Sequence, residues 1–181
     1  MKSPWEKLPS FDDDGNVLAV IEAASESRSK FKFEPGLGVF LLHSVLPAGT
    51  AWPHSFGFVP GTLGEDGDPL DVVVLTDESP PVSTVVPTRV IAILEAQQQD
   101  EETTLRNDRL LAVAISSERY AQYRHRKDVG DTTLKRIADF FAFYHREQGK
   151  TFMPKGWKGP KAALAALQRG QRAARNPRTR K

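Results

Sequence analysis

The sequence contains no cysteine, which excludes disulfides and thiolate metal sites. Any metal must therefore sit on oxygen or histidine. No apolar run approaches the roughly 20 residues that a bilayer-spanning helix needs, so no membrane partner is expected. The opening Met1-Lys2-Ser3-Pro4-Trp5-Glu6 lacks the apolar stretch of a signal peptide, and a cytoplasmic location is the expectation. No internal repeat and no linker divides the chain.

What is present is ordinary for a globular protein: 181 residues, 39% hydrophobic and 27% charged. The net charge of +2 hides an asymmetry. Arg169, Arg172, Arg175, Arg178, Arg180 and Lys181 place six positive charges and no acids at the C-terminus, so +2 for the whole chain leaves −4 for the rest. We expect one domain over residues 1–168 and a basic, disordered tail over 169–181. The tail has no interleaved aromatics to stack on bases, so nucleic acid is not the expected partner.

Residues 17–21 read as a strand that ends at Glu22. Residues 30–33 alternate polar and apolar, Gly36 and Gly38 mark a turn, and 39–42 read as the partner strand. Further strands are expected over 70–75, 82–94 and 110–115, and the polar stretch 97–108 as an exposed loop. After Asp131 the pattern changes: Leu134, Ile137, Ala138, Phe141 and Tyr144 follow helical spacing, with Phe140 beside that face. Asp131 suits the N-cap and Gly149 the stop. Pro160 suits the first turn of a last helix, with apolar Ala163, Leu164 and Leu167 and Gly170 as its close. Strands followed by helices give an α+β fold, a small barrel or strongly bent sheet with helices outside.

The most informative stretch is Glu65-Asp66-Gly67-Asp68-Pro69-Leu70-Asp71, four carboxylates in seven residues. Like charges this close repel, so a cation is the physical reason to gather them. Gly67 and Pro69 shape a turn that can aim Asp66, Asp68 and Asp71 into one cavity. Such hard oxygens suit magnesium, manganese or calcium. On the acids alone, a solvated acidic turn is an equal reading. A calcium EF-hand loop fails, because Pro69 and Leu70 stand where that loop needs turn and ligand residues.

The stretch from Trp52 to Leu75 resembles the signature of family I inorganic pyrophosphatases. Asp66-Gly67-Asp68-Pro69-Leu70-Asp71-Val72 fits its core, and the lead-in Trp52-Pro53-His54-Ser55-Phe56-Gly57-Phe58 fits as well. The resemblance implies a five-stranded OB-like barrel with helices packed outside. It also implies magnesium or manganese, a homo-oligomer, and hydrolysis of pyrophosphate to two phosphates.

By resemblance, Asp66 and Asp71 are metal ligands, Asp68 is the general base, and Glu22 lies at the rim of the metal cluster. Lys30, Tyr144 and Lys150 match residues that hold phosphate. Arg109 stands for a phosphate-binding lysine. Asn107 falls on a third metal-ligand aspartate, with Asp108 beside it. A further loop acid falls among Asp100, Glu101 and Glu102. Without the resemblance, Tyr144 reads as a core tyrosine, Lys30 and Lys150 as solvated lysines, and Glu22 as a surface acid.

Several positions depart from the family pattern. Ser44 replaces an arginine or lysine, so a phosphate contact is lost there unless His43 or another base supplies it. Phe56 replaces a tyrosine, Lys32 a glutamate and His145 a lysine. These changes spare the main metal pair and thin the phosphate-binding half. They leave two other readings open: a related protein with weak activity or another phosphoanhydride substrate, and a barrel that binds polyanions through its basic tail.

Overall fold

The computed structural model describes residues 7–100 and 103–176. In chain order the strands are β1 (Val17–Ala23), β2 (Ser29–Glu34), β3 (Val39–Val45), β4 (Ser55–Phe58), β5 (Asp71–Leu75), β6 (Val85–Asp100), β7 (Thr103–Arg106), β8 (Arg109–Ala114) and β9 (Thr151–Lys158). The helices are α1 (Arg126–Val129), α2 (Asp131–Arg146) and α3 (Pro160–Arg175).

The apolar runs close into a ring. β1 pairs with β4, β4 with β5, β5 with β8, β8 with β6, and β6 again with β1. Only the β5–β8 pair in this ring is parallel. The five-stranded barrel and α+β class expected from the sequence are therefore present. Gly57 makes one contact of the ring possible. A Cβ there would lie 1.8 Å from the carbonyl oxygen of Val20 on β1, so β4 approaches β1 only without a side chain.

β2 and β3 form their own hairpin, as the alternation and the two glycines suggested. β6 is long because it serves two partners in turn. Its first half belongs to the ring, and its polar second half pairs with β9 and β7. This corrects the exposed loop expected over 97–108. Gln97, Gln98 and Gln99 lack apolar alternation, but their backbone groups are paired on both sides of the strand.

Helix α2 buries Leu134, Ile137, Phe141, Tyr144 and His145 on one face. They pack on Trp52, Phe56, Leu94 and Phe152, with Trp52 and Phe56 stacked at 5.0 Å. Helix α3 buries Ala163, Ala166, Leu167 and Gly170 against Ile21, Val72, Val74 and Leu110. Leu164, expected on that face, is exposed.

Helix boundaries also differ from expectation. Gly130, at φ 84°, is the N-cap of α2, and Asp131 is the first helical residue, where its charge still faces the helix dipole. α2 ends at Arg146, and Gly149 shapes the following turn at φ +74°. Gly170 does not close α3. A side chain there would meet Leu70 at 2.8 Å, so the glycine lets the helix pass close to the acidic turn. The expected tail boundary at 169 thus falls inside a helix that continues to Arg175, and residues 177–181 lie outside the described residues.

Candidate active site

The acidic segment is built as a closed turn. The Gly64 amide donates to the Asp68 carbonyl at 2.8 Å, and the Leu70 amide to the Thr62 hydroxyl at 2.9 Å. Gly67 sits at φ +85°, the left-handed conformation the turn needs. The Asp68 amide donates to the Asp66 carboxylate at 3.2 Å. Asp71 then opens β5 beside Arg109, the first residue of β8.

The turn borders a cavity of about 1160 Å³. Glu22, Asp66, Asp68, Asp71 and Asp100 line it, and so do Lys30, Lys32, His43, Arg109 and Lys150. Phe56, Asn107, Tyr144 and His145 complete the inner wall. Nearly every residue expected at the site is therefore brought to one cavity, although Ser44 and Asp108 are not. Ser44 is half-buried on β3 opposite Lys30 and is not among the residues that line the cavity. The Asp108 carboxylate is held elsewhere. It pairs with Arg106 at 2.6 Å and accepts from the Ala96 amide at 3.0 Å. Glu101 and Glu102 lie outside the described residues.

Four of the five acids in the cavity are paired with a base, and Asp66 is not. Lys30 lies 4.0 Å from Glu22, Lys32 lies 2.9 Å from Asp68, Arg109 lies 2.7 Å from Asp71, and Lys150 lies 3.2 Å from Asp100. Their surroundings differ. Lys30 is enclosed between the rings of Phe56 and Tyr144, at 5.1 and 5.7 Å from their centroids. Burial opposes its charge, but Glu22, Tyr144 and Asp71 outweigh that, and its pKa is raised. Burial pushes the Glu22 carboxyl up to about 7, although Lys30 pulls it down.

Arg109 is the most heavily held. Its guanidinium donates to the Asn107 side-chain oxygen, to the Asn107 carbonyl at 3.2 Å and to the Asp108 carbonyl at 2.9 Å. It also meets His145 Nε2 at 3.0 Å and lies over Phe141 and Phe152. His145 stacks on Phe152 at 4.9 Å. Burial first, then Arg109, Lys30 and Lys150, lower its pKa to about 3, so its ring is neutral. Nε2 then accepts from the guanidinium. The position brings an acceptor where a lysine would bring a charge.

Asp66 has no ion-pair partner among the described residues. Burial raises its pKa first, and the Asp71 and Asp68 charges add to the rise. That crowding is what a cation relieves, and an all-oxygen donor set fits magnesium or manganese. Among the described residues, no three acids and histidines already stand together as a metal-binding group. Asp71 is drawn to Arg109 and Asp68 to Lys32 instead.

Comparison with known proteins decides the family. The inorganic pyrophosphatase family model matches residues 19–175. The inorganic pyrophosphatase of Bacillus sp. (strain PS3) is 36% identical over 83% of this chain and 89% of its own length. The crystal structure of the Thermus thermophilus inorganic pyrophosphatase aligns with a TM-score of 0.86 at 29% identity, covering 96% of this chain and all of that one. The Helicobacter pylori enzyme aligns at 0.84 with 28% identity, covering 94% and 99%. The chain belongs to the inorganic pyrophosphatase family.

Family membership makes the departures specific. Lys32 and His43 both line the cavity, whereas Ser44 does not. Gln98 was hidden in the expected loop, yet it accepts from the Asn107 amide at 2.7 Å and fixes which way that amide points. Trp52 was read only as part of the lead-in. It is a buried pillar in contact with Phe56, Phe140 and Tyr144. An aromatic cluster spread over ninety residues leaves no local signal in a sequence.

Proposed function

We propose that the protein hydrolyses inorganic pyrophosphate to two phosphates, with magnesium as its working cation and manganese as a substitute. The observation that carries this is the single cavity in which Asp66, Asp68 and Asp71 share space with Lys30, Arg109 and Lys150. The chain's family makes pyrophosphate the substrate to test.

Asp66 and Asp71 would hold the metal, with Glu22 behind them and the Asn107 amide oxygen as a neutral contributor. When bound, a divalent ion neutralises phosphate charge and acidifies water. Asp68 accepts the proton of the attacking water. Lys30, Arg109 and Lys150 present fixed positive charge to the phosphate oxygens as the P–O–P bridge breaks, and the Tyr144 hydroxyl donates to the leaving phosphate. Binding by fixed charges that strengthen as charge develops is the catalytic principle, with no covalent step.

A second reading is favoured by one observation: no arginine or tyrosine hydroxyl is supplied at Ser44 and Phe56. A thinner phosphate grip suits weak activity or a larger phosphoanhydride. Phosphate release from pyrophosphate, tripolyphosphate and a nucleoside triphosphate, at equal free magnesium, separates the two. Preference for pyrophosphate supports the first reading, and preference for either longer substrate the second.

The reading also implies a self-associating protein in the cytoplasm. Exposed Leu37, Val39, Leu41, Leu42 and Val45 on and beside β3 provide apolar surface that supports association. Sedimentation velocity tests it.

A further inference from the structure

Four cations share the cavity, and two of them are buried and held in place. Lys30 is buried between two rings beside Glu22. Arg109 is enclosed by Asn107, Asp71, His145 and two aromatic faces. Lys150, outside this hairpin, stands at the rim in a part-exposed pair with Asp100 at 3.2 Å, with side chains 35% and 51% exposed. Lys32 is different. Its ammonium donates to both oxygens of Asp68, at 3.0 and 2.9 Å. Both side chains are about half exposed, 47% and 53%. An exposed lysine–carboxylate pair is a weak tether, because water competes for both ends.

Position and sequence agree on what this tether does. Lys32 follows Lys30 by two residues on β2, so both side chains leave the strand on one face and both line the cavity. His43, from the paired strand, lines it too. Burial, then Lys30 and Lys32, depress the His43 pKa, so the histidine adds no charge at neutral pH. Ser44 adds none either. Lys32 is therefore the one mobile cation on this hairpin that can meet a phosphate.

Resting on the function proposed above, we propose that Lys32 is a phosphate-binding residue of this chain that also guards the general base. Without substrate its ammonium sits on Asp68, neutralising the carboxylate and keeping a divalent ion from it. An arriving polyphosphate offers denser negative charge, and the ammonium swings to it. Asp68 is then bare, beside the water it must deprotonate. One residue replaces the charge missing at Ser44 and delays exposure of the base until substrate is present.

The proposal predicts opposite shifts in two affinities, which a loosened fold would not give. Titration calorimetry is run on wild type and Lys32→Ala, first with magnesium on the metal-free protein, then with pyrophosphate in excess chelator. Magnesium binding to Lys32→Ala should strengthen several-fold, because Asp68 is unmasked. Pyrophosphate binding should weaken about tenfold, from loss of a charged contact. Lys32→Arg should keep most of the pyrophosphate affinity. Unchanged pyrophosphate affinity in Lys32→Ala, or two affinities falling together, overturns the proposal. Neither titration involves turnover. Absence of phosphate release by the wild type would therefore defeat the function proposed above while Lys32 is still judged by calorimetry.

Discussion

Asp66 and Asp68 stand two residues apart and both are exposed, yet among the described residues Asp66 lacks an ion pair while Asp68 is already neutralised by Lys32. That difference sets distinct outcomes for the same change. Asp66→Asn should abolish most magnesium binding in calorimetry with little loss of melting temperature. Asp68→Asn should cut turnover strongly while leaving magnesium affinity nearly intact, as expected of a proton acceptor. Asp71→Asn should lose magnesium too, but it also deprives buried Arg109 of its counter-charge, so about 3 kcal/mol of stability should go with it. An Asp68→Asn protein that turns over normally would remove the general-base assignment. His145 carries a pH prediction. Its folded pKa of about 3 lies below the unfolded value, so between them the unfolded chain binds the extra proton. Its neutral form is fully favoured above pH ~6.5, and stability falls as pH drops toward 3, by at most about 1.4 kcal/mol per unit. Glu22, raised to about 7, acts in the opposite sense, losing stability as pH rises from its unfolded value through 7. The His145 contribution is therefore read as a difference. Relative to wild type, His145→Gln should gain thermal stability as pH falls from 7 to 5, and a constant difference between the two proteins would contradict it. The aspartates were legible because they sit in one seven-residue motif. The Lys32–Asp68 and Arg109–His145 contacts each span 36 residues, and only the fold brings such positions together.

At the scale of elements, the sequence spoke clearly where burial is one-sided or complete. β1, β5 and β8 announce themselves as apolar runs, and α2 as a 3.6-residue stripe. It was silent where pairing alone holds a strand. The polar half of β6, β7 and β9 form one sheet region whose residues 95–99 and 151–156 show no clean alternation. Their stability comes from backbone pairing and from β9 lying against α2. β4 was hidden for another reason. It is four residues long, and Gly57 at its centre reads as a breaker until its contact with β1 is seen. This gives a prediction at the same scale. Gly57→Ala places a methyl on the Val20 carbonyl and must push β4 off the ring, where overpacking costs about 3 kcal/mol or more. Chemical denaturation should show that loss. A variant as stable as wild type would mean the ring tolerates separation there, and the glycine in the motif would need another explanation.

For the whole molecule, the closed ring explains why one cavity collects residues from across the chain. β5 and β8 lie side by side and in parallel, so Asp71 and Arg109 start level with each other at one end of the barrel. The acidic turn enters β5 at that end, and the second half of β6 leaves the ring carrying Gln98 and Asp100 to the same place. α2 delivers Tyr144 and His145, and Lys150 follows it. Acids and bases so arranged neutralise each other in four pairs, which leaves Asp66 over. On the proposed function, phosphate would take the place of the carboxylates beside the bases, and metal the place of the bases beside the acids, with unpaired Asp66 the first acid open to it. The most direct test is phosphate release from pyrophosphate by wild type and Asp66→Asn, each with magnesium and with excess chelator. The account predicts release by the wild type only when magnesium is present, and little from Asp66→Asn in either condition. Equal release with and without magnesium, or full release by Asp66→Asn, would contradict it.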